Sequence, residues 1–264
     1  MTLPTVFIPH GAGPCFFMAW TRGPQDTWDR TAAWLKGLVA GLPERPKAIL
    51  VVSGHWEEPA FTVGSAERPT LIYDYYGFPE STYQLRFDAP GSPALASRVR
   101  SLLTAAGLPT AEDPARGYDH GVFVPLKLVT PQADIPVVQL SLRQDLDPEA
   151  HLAVGRALAP LRDEGVLIVG SGMSWHNMAG FTPAYTAKSA AFDAWLGEAM
   201  RDPASREAAI RRWDQAPYAR EAHPREEHLA PLFVAAGAAE GEPGRVAFQD
   251  TVMDVVVSGF EFGG

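Results

Sequence analysis

Among its 264 residues the chain has one cysteine, Cys15. That excludes an intrachain disulfide and any zinc site built on thiolates. Cys15 itself reads as a packing residue. Cationic runs are also missing. Lys and Arg number 22 against 31 Asp and Glu, a formal charge of −9, which argues against the cationic face that nucleic acid or an anionic membrane would require. The nearest cluster, Arg206, Arg211, Arg212 and Arg220, reads as a solvated helix face. No stretch approaches the roughly 18 apolar residues of a membrane span, and the N-terminus lacks the basic and apolar regions of a secretory signal. The expectation is a cytoplasmic protein with no nucleic-acid or membrane partner. No Gly-x-Gly-x-x-Gly or Gly-x-x-x-x-Gly-Lys-Ser/Thr occurs, which removes the usual dinucleotide and phosphate cradles. Gly170-Ser171-Gly172 lacks the Gly-x-Ser-x-Gly elbow, because Met173 stands where the second glycine belongs.

What is present is a succession of strand-like and helix-like patterns, with 46% hydrophobic residues to build a core. Strands are predicted over 5–9, 48–53, 135–142, 166–169 and 251–257. Helices are predicted from Trp28 to Leu42, over 93–106 behind a Ser92 cap, over 147–161 behind Asp147, and over 184–201, 203–214 and 226–239. The Pro- and aromatic-rich stretch 59–93 reads as short strands and loops. Alternation of strands with helices implies an α/β fold. The expectation is a single domain over 1–264, with a central mostly parallel or mixed sheet flanked by helices and a metal site at the strand C-terminal ends.

Three of the predicted strands run into a histidine in a Gly-, Ser- and Trp-rich turn. They end in Pro9-His10-Gly11, Ser53-Gly54-His55-Trp56 and Gly170-Ser171-Gly172-Met173-Ser174-Trp175-His176-Asn177. Residues just past the strand ends of such a sheet converge on one crevice, and three imidazoles there suit Fe, Zn, Cu or Ni. His120 heads the apolar run Val122–Leu126, with Asp119 either capping a helix or serving the site. His223 and His228 stand five apart around Pro224, so they are not a His-Glu-x-x-His pair. His228, on an apolar helical pattern with Leu229, Leu232 and Phe233, is the better ligand candidate. His151 reads as a surface residue.

Taken together these segments resemble a known family, the DOPA-dioxygenase-type members of the class III extradiol ring-cleaving dioxygenases, relatives of protocatechuate 4,5-dioxygenase. The resemblance rests on Pro9-His10-Gly11, Ser53-Gly54-His55-Trp56, Tyr73-Asp74-Tyr75-Tyr76-Gly77-Phe78-Pro79 and Ala89-Pro90-Gly91-Ser92-Pro93. It continues through Asp119-His120-Gly121, Ala133 to Ser141, Gly170 to Asn177, and Arg225-Glu226-Glu227-His228-Leu229-Ala230-Pro231-Leu232. Two departures stand out. The usual Gly-His-Gly-Ser-Pro is one residue longer here, as Pro9-His10-Gly11-Ala12-Gly13-Pro14, and Ser-Ala-His-Trp has become Ser53-Gly54-His55-Trp56. Neither removes a histidine.

The resemblance implies a non-haem Fe(II) centre, with Zn(II) as an alternative occupant in protein as purified. His10, His55 and His228 would be ligands, in preference to the glutamate that protocatechuate-type relatives use in place of His228. His176 would act as active-site base and could also coordinate metal in a zinc-loaded, substrate-free state. His120 would be a second acid–base or oxygen-positioning group. The implied reaction joins a small-molecule catechol and O₂ to give a muconic semialdehyde, in a monomer or homodimer. Imidazole, with an ordinary pKa of about 6.5, suits the proton transfers. Trp56, Trp175 and the aromatics Tyr73–Phe78 are candidate walls for a flat ring. Two other classes use the same donors: a zinc hydrolase activating water, and a metal-binding scaffold without oxygenase activity. Retention of both His120 and His176 counts against the scaffold, since a structural site needs neither.

Overall fold

The computed structural model describes residues 1–263. Its strands are Thr5–Pro9 (β1), Ala48–Glu58 (β2), Phe61–Gly64 (β3), Thr110–Asp113 (β4), Val137–Arg143 (β5), Val166–Gly172 (β6), Gly244–Val252 (β7) and Val255–Phe262 (β8). Its helices are Asp29–Gly37 (α1), Pro93–Ala105 (α2), His120–Val129 (α3), Pro148–Leu158 (α4), Thr186–Arg201 (α5), Pro203–Arg211 (α6), Ala219–Ala222 (α7) and Ala230–Ala238 (α8). The strands form one mixed sheet in the order β4-β3-β5-β2-β6-β1-β8-β7.

The centre of the sheet follows from its residues. β1 and β6 are apolar enough to be buried along their whole length, as strands covered on both faces must be. β5, β2, β6 and β1 lie parallel, with Val51 beside both Val169 and Gln139, and Phe7 beside Gly170. Their side chains alternate between two cores. Phe7, Leu50, Val52 and Ile168 face the side covered by α4, α8 and α5, whereas Val6, Ile8, Ile49, Val51, Leu167 and Val169 face the side of α3 and α1.

Several sequence boundaries shift. β2 continues beyond Ser53 to Glu58, so His55 lies inside a strand rather than past its end. Pairing with β5 is interrupted there: Val52 aligns with Leu140 and Glu57 with Leu142, so five steps along β2 match two along β5. That bulge re-aims the side chains between them. The predicted strand 251–257 is two strands of a hairpin, reversed at Met253 and Asp254, whose φ angles are +46° and +71°. Both central residues of such a turn need left-handed backbone, and Met-Asp carries none of the Asn-Gly signal that would announce it. α8 begins at Ala230, not near 226, with Pro231 in its first turn. His228 therefore sits in the turn before the helix. β3 falls within the stretch 59–93 read as short strands and loops, whereas β4 had no signal in the sequence.

His151 is a further correction: it is fully buried. Its Nδ1–H donates to the Asp147 carbonyl at 2.8 Å, its Nε2 accepts from the Arg143 N–H at 3.3 Å, and its ring meets the Phe61 edge. Burial pulls its pKa down to about 4. Unfolded, the ring takes a proton near pH 6.5. The unfolded chain thus binds the extra proton between these values, so this group's contribution is complete above about 6.5 and fades as pH falls toward 4. Urea unfolding of the metal-free protein should show stability dropping across that window. His151→Gln should flatten the slope by up to about 1.4 kcal/mol per pH unit, and an unchanged slope would refute a neutral buried ring.

Candidate metal centre and its cavity

Five of the seven histidines meet at the C-terminal edge of the parallel strands. His10 leaves β1 with its N–H bonded to the Gly172 carbonyl at 3.0 Å. The turn then needs Gly11, which has φ +84° and would place a Cβ 2.5 Å from Cys15 Sγ. Cys15 is buried and its thiol is pushed up in pKa by that burial, so its role here is packing. His228 is carried over the ends of β2 and β6 by a segment that lies on bare backbone. A Cβ on Gly172 would stand 2.1 Å from the His228 carbonyl oxygen, and one on Gly170 2.3 Å from that of Pro231. The Met173 N–H donates to the His228 carbonyl. His176 is fixed by its N–H, which donates to the Ala222 carbonyl at 3.0 Å.

His120 opens α3. Asp119 occupies the cap position without making the cap bond. Its buried carboxylate accepts instead from Ser53 Oγ at 2.8 Å, Arg116 Nη2 at 2.9 Å and Gln139 Nε2. Burial pushes its pKa up, against those donors. The His120 N–H is taken by Asp74 Oδ1 at 2.9 Å. Pro125 within the helix has no N–H for the Gly121 carbonyl, and Ser171 Oγ–H of β6 donates to that carbonyl.

His55 Nε2 lies 3.3 Å from His10 Nε2 and 3.1 Å from His228 Nε2. The opposite ring nitrogens face acceptors. His10 Nδ1–H donates to the Gly11 carbonyl at 2.9 Å, His228 Nδ1–H to Glu227 Oε1 at 2.9 Å, and His55 Nδ1 stands 3.6 Å from Asp74 Oδ2. Burial, and then the neighbouring imidazoles, hold His10 and His228 well below the ordinary histidine pKa. Burial, then His120, lowers His55 to about 3. With Nδ1–H on His10 and His228, the Nε2 lone pairs of both rings turn toward His55 Nε2. Metal–nitrogen bonds of about 2.0–2.1 Å put adjacent donors about 3.0–3.4 Å apart, and both separations from His55 Nε2 fall in that range. The donor atoms of His10, His55 and His120 also fall within 4.8 Å of one another, as do those of His176, Glu227 and His228.

The Glu227 carboxylate stands on the Nδ1 side of His228, and Glu226 is paired with Arg220. Burial would raise the Glu227 carboxyl, but His176, its own backbone N–H and Arg225 together hold it below the ordinary carboxylate range. His223 is buried elsewhere, against Phe192 and Trp213, with Nε2–H donating to the Ser174 carbonyl.

All five histidines line a cavity of about 870 Å³. Tyr75, Tyr76, Phe78, Trp20, Trp28 and Phe181 supply its aromatic wall. Two of the expected wall residues are elsewhere: Trp175 is fully buried against Tyr185, and Trp56 lies under Arg116 with its N–H on Glu58. Tyr73 is also outside the lining, hydrogen-bonded to the Leu85 carbonyl. Tyr76 and Met178, 87% and 70% exposed, mark the rim. Arg22, Asp26 and Asp254 add charge to the lining, and Arg30 is paired with Asp250. The sequence offered no means of choosing Arg22, Trp20 or Trp28 for this cavity, since no motif contains them.

Residues 4–258 match the model of the catalytic LigB subunit of aromatic ring-opening dioxygenase. The chain is 46% identical over 200 residues to a 4,5-DOPA dioxygenase extradiol of Beta vulgaris, covering 74% of each. It is 36% identical over 277 residues to the dioxygenase tasH of Hapsidospora irregularis, covering 99% of this chain and 86% of that one. A crystal structure of an uncharacterized protein from Escherichia coli K12 superposes with a TM-score of 0.75 at 30% identity, over 99% of this chain and all of the other.

The close seat of the His228 segment on Gly172 is directly testable. Gly172→Ala should displace backbone rather than a flexible side-chain tip, costing about 1–3 kcal/mol of stability and weakening zinc binding. Thermal unfolding with a zinc titration measures both, and wild-type values in each would show slack in the segment.

Proposed function

The chain belongs to the family of catalytic LigB subunits of aromatic ring-opening dioxygenases, and on that premise we propose that it is an Fe(II)-dependent extradiol dioxygenase cleaving a catechol with O₂ to a muconic semialdehyde. The observation that carries this reading is the approach of the Nε2 atoms of His10 and His228 to that of His55 within an aromatic-walled cavity. These three would hold the metal, which would remain open to other molecules. Bound Fe(II) supplies simultaneous coordination of diol and O₂ and a route for electron density between them. The whole of 1–264 serves as one catalytic domain.

The remaining work falls to this chain's side chains. His176 accepts a catechol proton as the diol binds. Its Nδ1 faces the Glu227 carboxylate at 3.2 Å, which leaves Nε2 as the accepting atom. His120, with Nδ1–H donated to Asp74 at 2.8 Å and its ring 3.9 Å from that of His55, centre to centre, is the second acid–base group. It positions O₂ and returns a proton when the O–O bond breaks. Tyr75 and Phe78, packed edge to face at 5.5 Å, form one aromatic wall against which the flat ring lies and which excludes water. A cavity of about 870 Å³ is in the upper part of the range of about 300–1,000 Å³ that holds drug-sized ligands. The substrate is therefore a catechol bearing a side chain, of the size of DOPA or larger, with that side chain toward the Tyr76–Met178 rim.

Anaerobic Fe(II) reconstitution followed by oxygen-electrode and absorbance traces with a catechol panel tests the proposal. Oxygen uptake equal to catechol consumed, with a yellow product, is expected. His176→Ala should retain stoichiometric iron yet lower kcat by about 10²–10⁴-fold. Iron binding without oxygen uptake across catechols of every size would defeat the reading.

A further inference from the structure

Each of the two histidines assigned above to proton transfer shares a carboxylate with a histidine assigned to the metal. Asp74 Oδ1 accepts from His120 Nδ1–H at 2.8 Å, while its Oδ2 stands 3.6 Å from His55 Nδ1. Glu227 Oε1 accepts from His228 Nδ1–H at 2.9 Å and stands 3.2 Å from His176 Nδ1. The His176 and His228 rings are stacked 3.4 Å apart with 17° between their planes, which is how two ring N–H groups reach a single oxygen. A neutral imidazole has two tautomers, and the acceptor on one nitrogen decides which nitrogen keeps its lone pair.

We propose that Asp74 and Glu227 are a pair of positioning residues, each tying one metal-ligating imidazole to one proton-transferring imidazole and setting both to the Nδ1–H form. Both members of each pair then present Nε2 to the cavity, and neither ring can turn without disturbing its partner's acceptor. The proposal rests on the metal-centre reading above, and its test reads metal affinity so that the two can fail separately.

The two carboxylates are used differently, which makes the test discriminating. Asp74 hydrogen-bonds His120 with one oxygen and turns the other, 3.6 Å away, toward His55, so in Asp74→Asn an amide N–H must replace a carboxylate oxygen before one of the two rings. Glu227 spends one oxygen on both, so the carbonyl of Glu227→Gln can still accept from both, whereas Glu227→Ala accepts from neither. Metal-free full-length protein is titrated with Zn(II) against a chromophoric chelator, and the Co(II) form is recorded by visible absorption. Circular dichroism compares the folds. Asp74→Asn and Glu227→Ala should weaken zinc binding by about 10–100-fold and alter the Co(II) spectrum, with Glu227→Gln losing less than about 10-fold. The same order should hold for kcat in the Fe(II)-saturated enzyme. Equal zinc affinity in Glu227→Ala and Glu227→Gln, or wild-type affinity in Asp74→Asn, would overturn the positioning role while leaving the metal centre intact. Failure of the wild type to bind zinc would overturn both.

Discussion

The arrangement of this molecule depends on three imidazoles whose Nε2 atoms are brought together at the floor of a cavity. His10 and His228 spend their Nδ1–H on Gly11 and Glu227, and their Nε2 atoms come within 3.3 and 3.1 Å of His55 Nε2. Protonation would relieve the repulsion in water. Here burial lowers the pKa of each ring, so the rings stay neutral and crowded together. Nearly everything around them serves to hold that unfavourable convergence in place: the bulge in β2, the left-handed Gly11, and the carboxylates behind the rings.

The glycines Gly170 and Gly172 belong to the same logic. Strand ends that carried side chains would hold the 227–231 segment off the sheet, and His228 with it. Their absence lets one main chain lie on another, closed by the Met173 N–H to the His228 carbonyl. Pro125 does comparable work on the opposite face. By withholding an N–H from the Gly121 carbonyl it leaves that oxygen for Ser171, joining the helix that carries His120 to a strand of the parallel core.

The parallel core was legible because its strands open on apolar runs, as doubly covered strands do, although β5 buries Gln139 and Ser141 among its apolar residues. The five histidines of the cavity were each marked by a turn or motif in the sequence. Register and long-range pairing were less visible. The bulge that puts His55 inside β2 depends on β5, which lies more than 80 residues away. The β7–β8 reversal uses a Met-Asp turn with no conformational signature. His151 looked exposed because a polar residue early in a helix usually is, yet its two hydrogen bonds are both local and both backbone. Trp56 and Trp175, flanking two of the histidines in sequence, face away from the cavity, while Trp20 and Trp28, which no motif marks, line it. Adjacency in the chain says little about which side of a strand end a large ring takes.

The histidines whose Nε2 atoms converge are separated by 45 and 173 positions along the chain. The histidine cluster is thus closed by the segment before α8, after the four parallel strands have already been laid down in sequence. Contacts of such sequence separation are slow to form. A chain ending before His228 would still bring His10, His55, His120 and His176 to the strand ends and lack only the ring that closes the group.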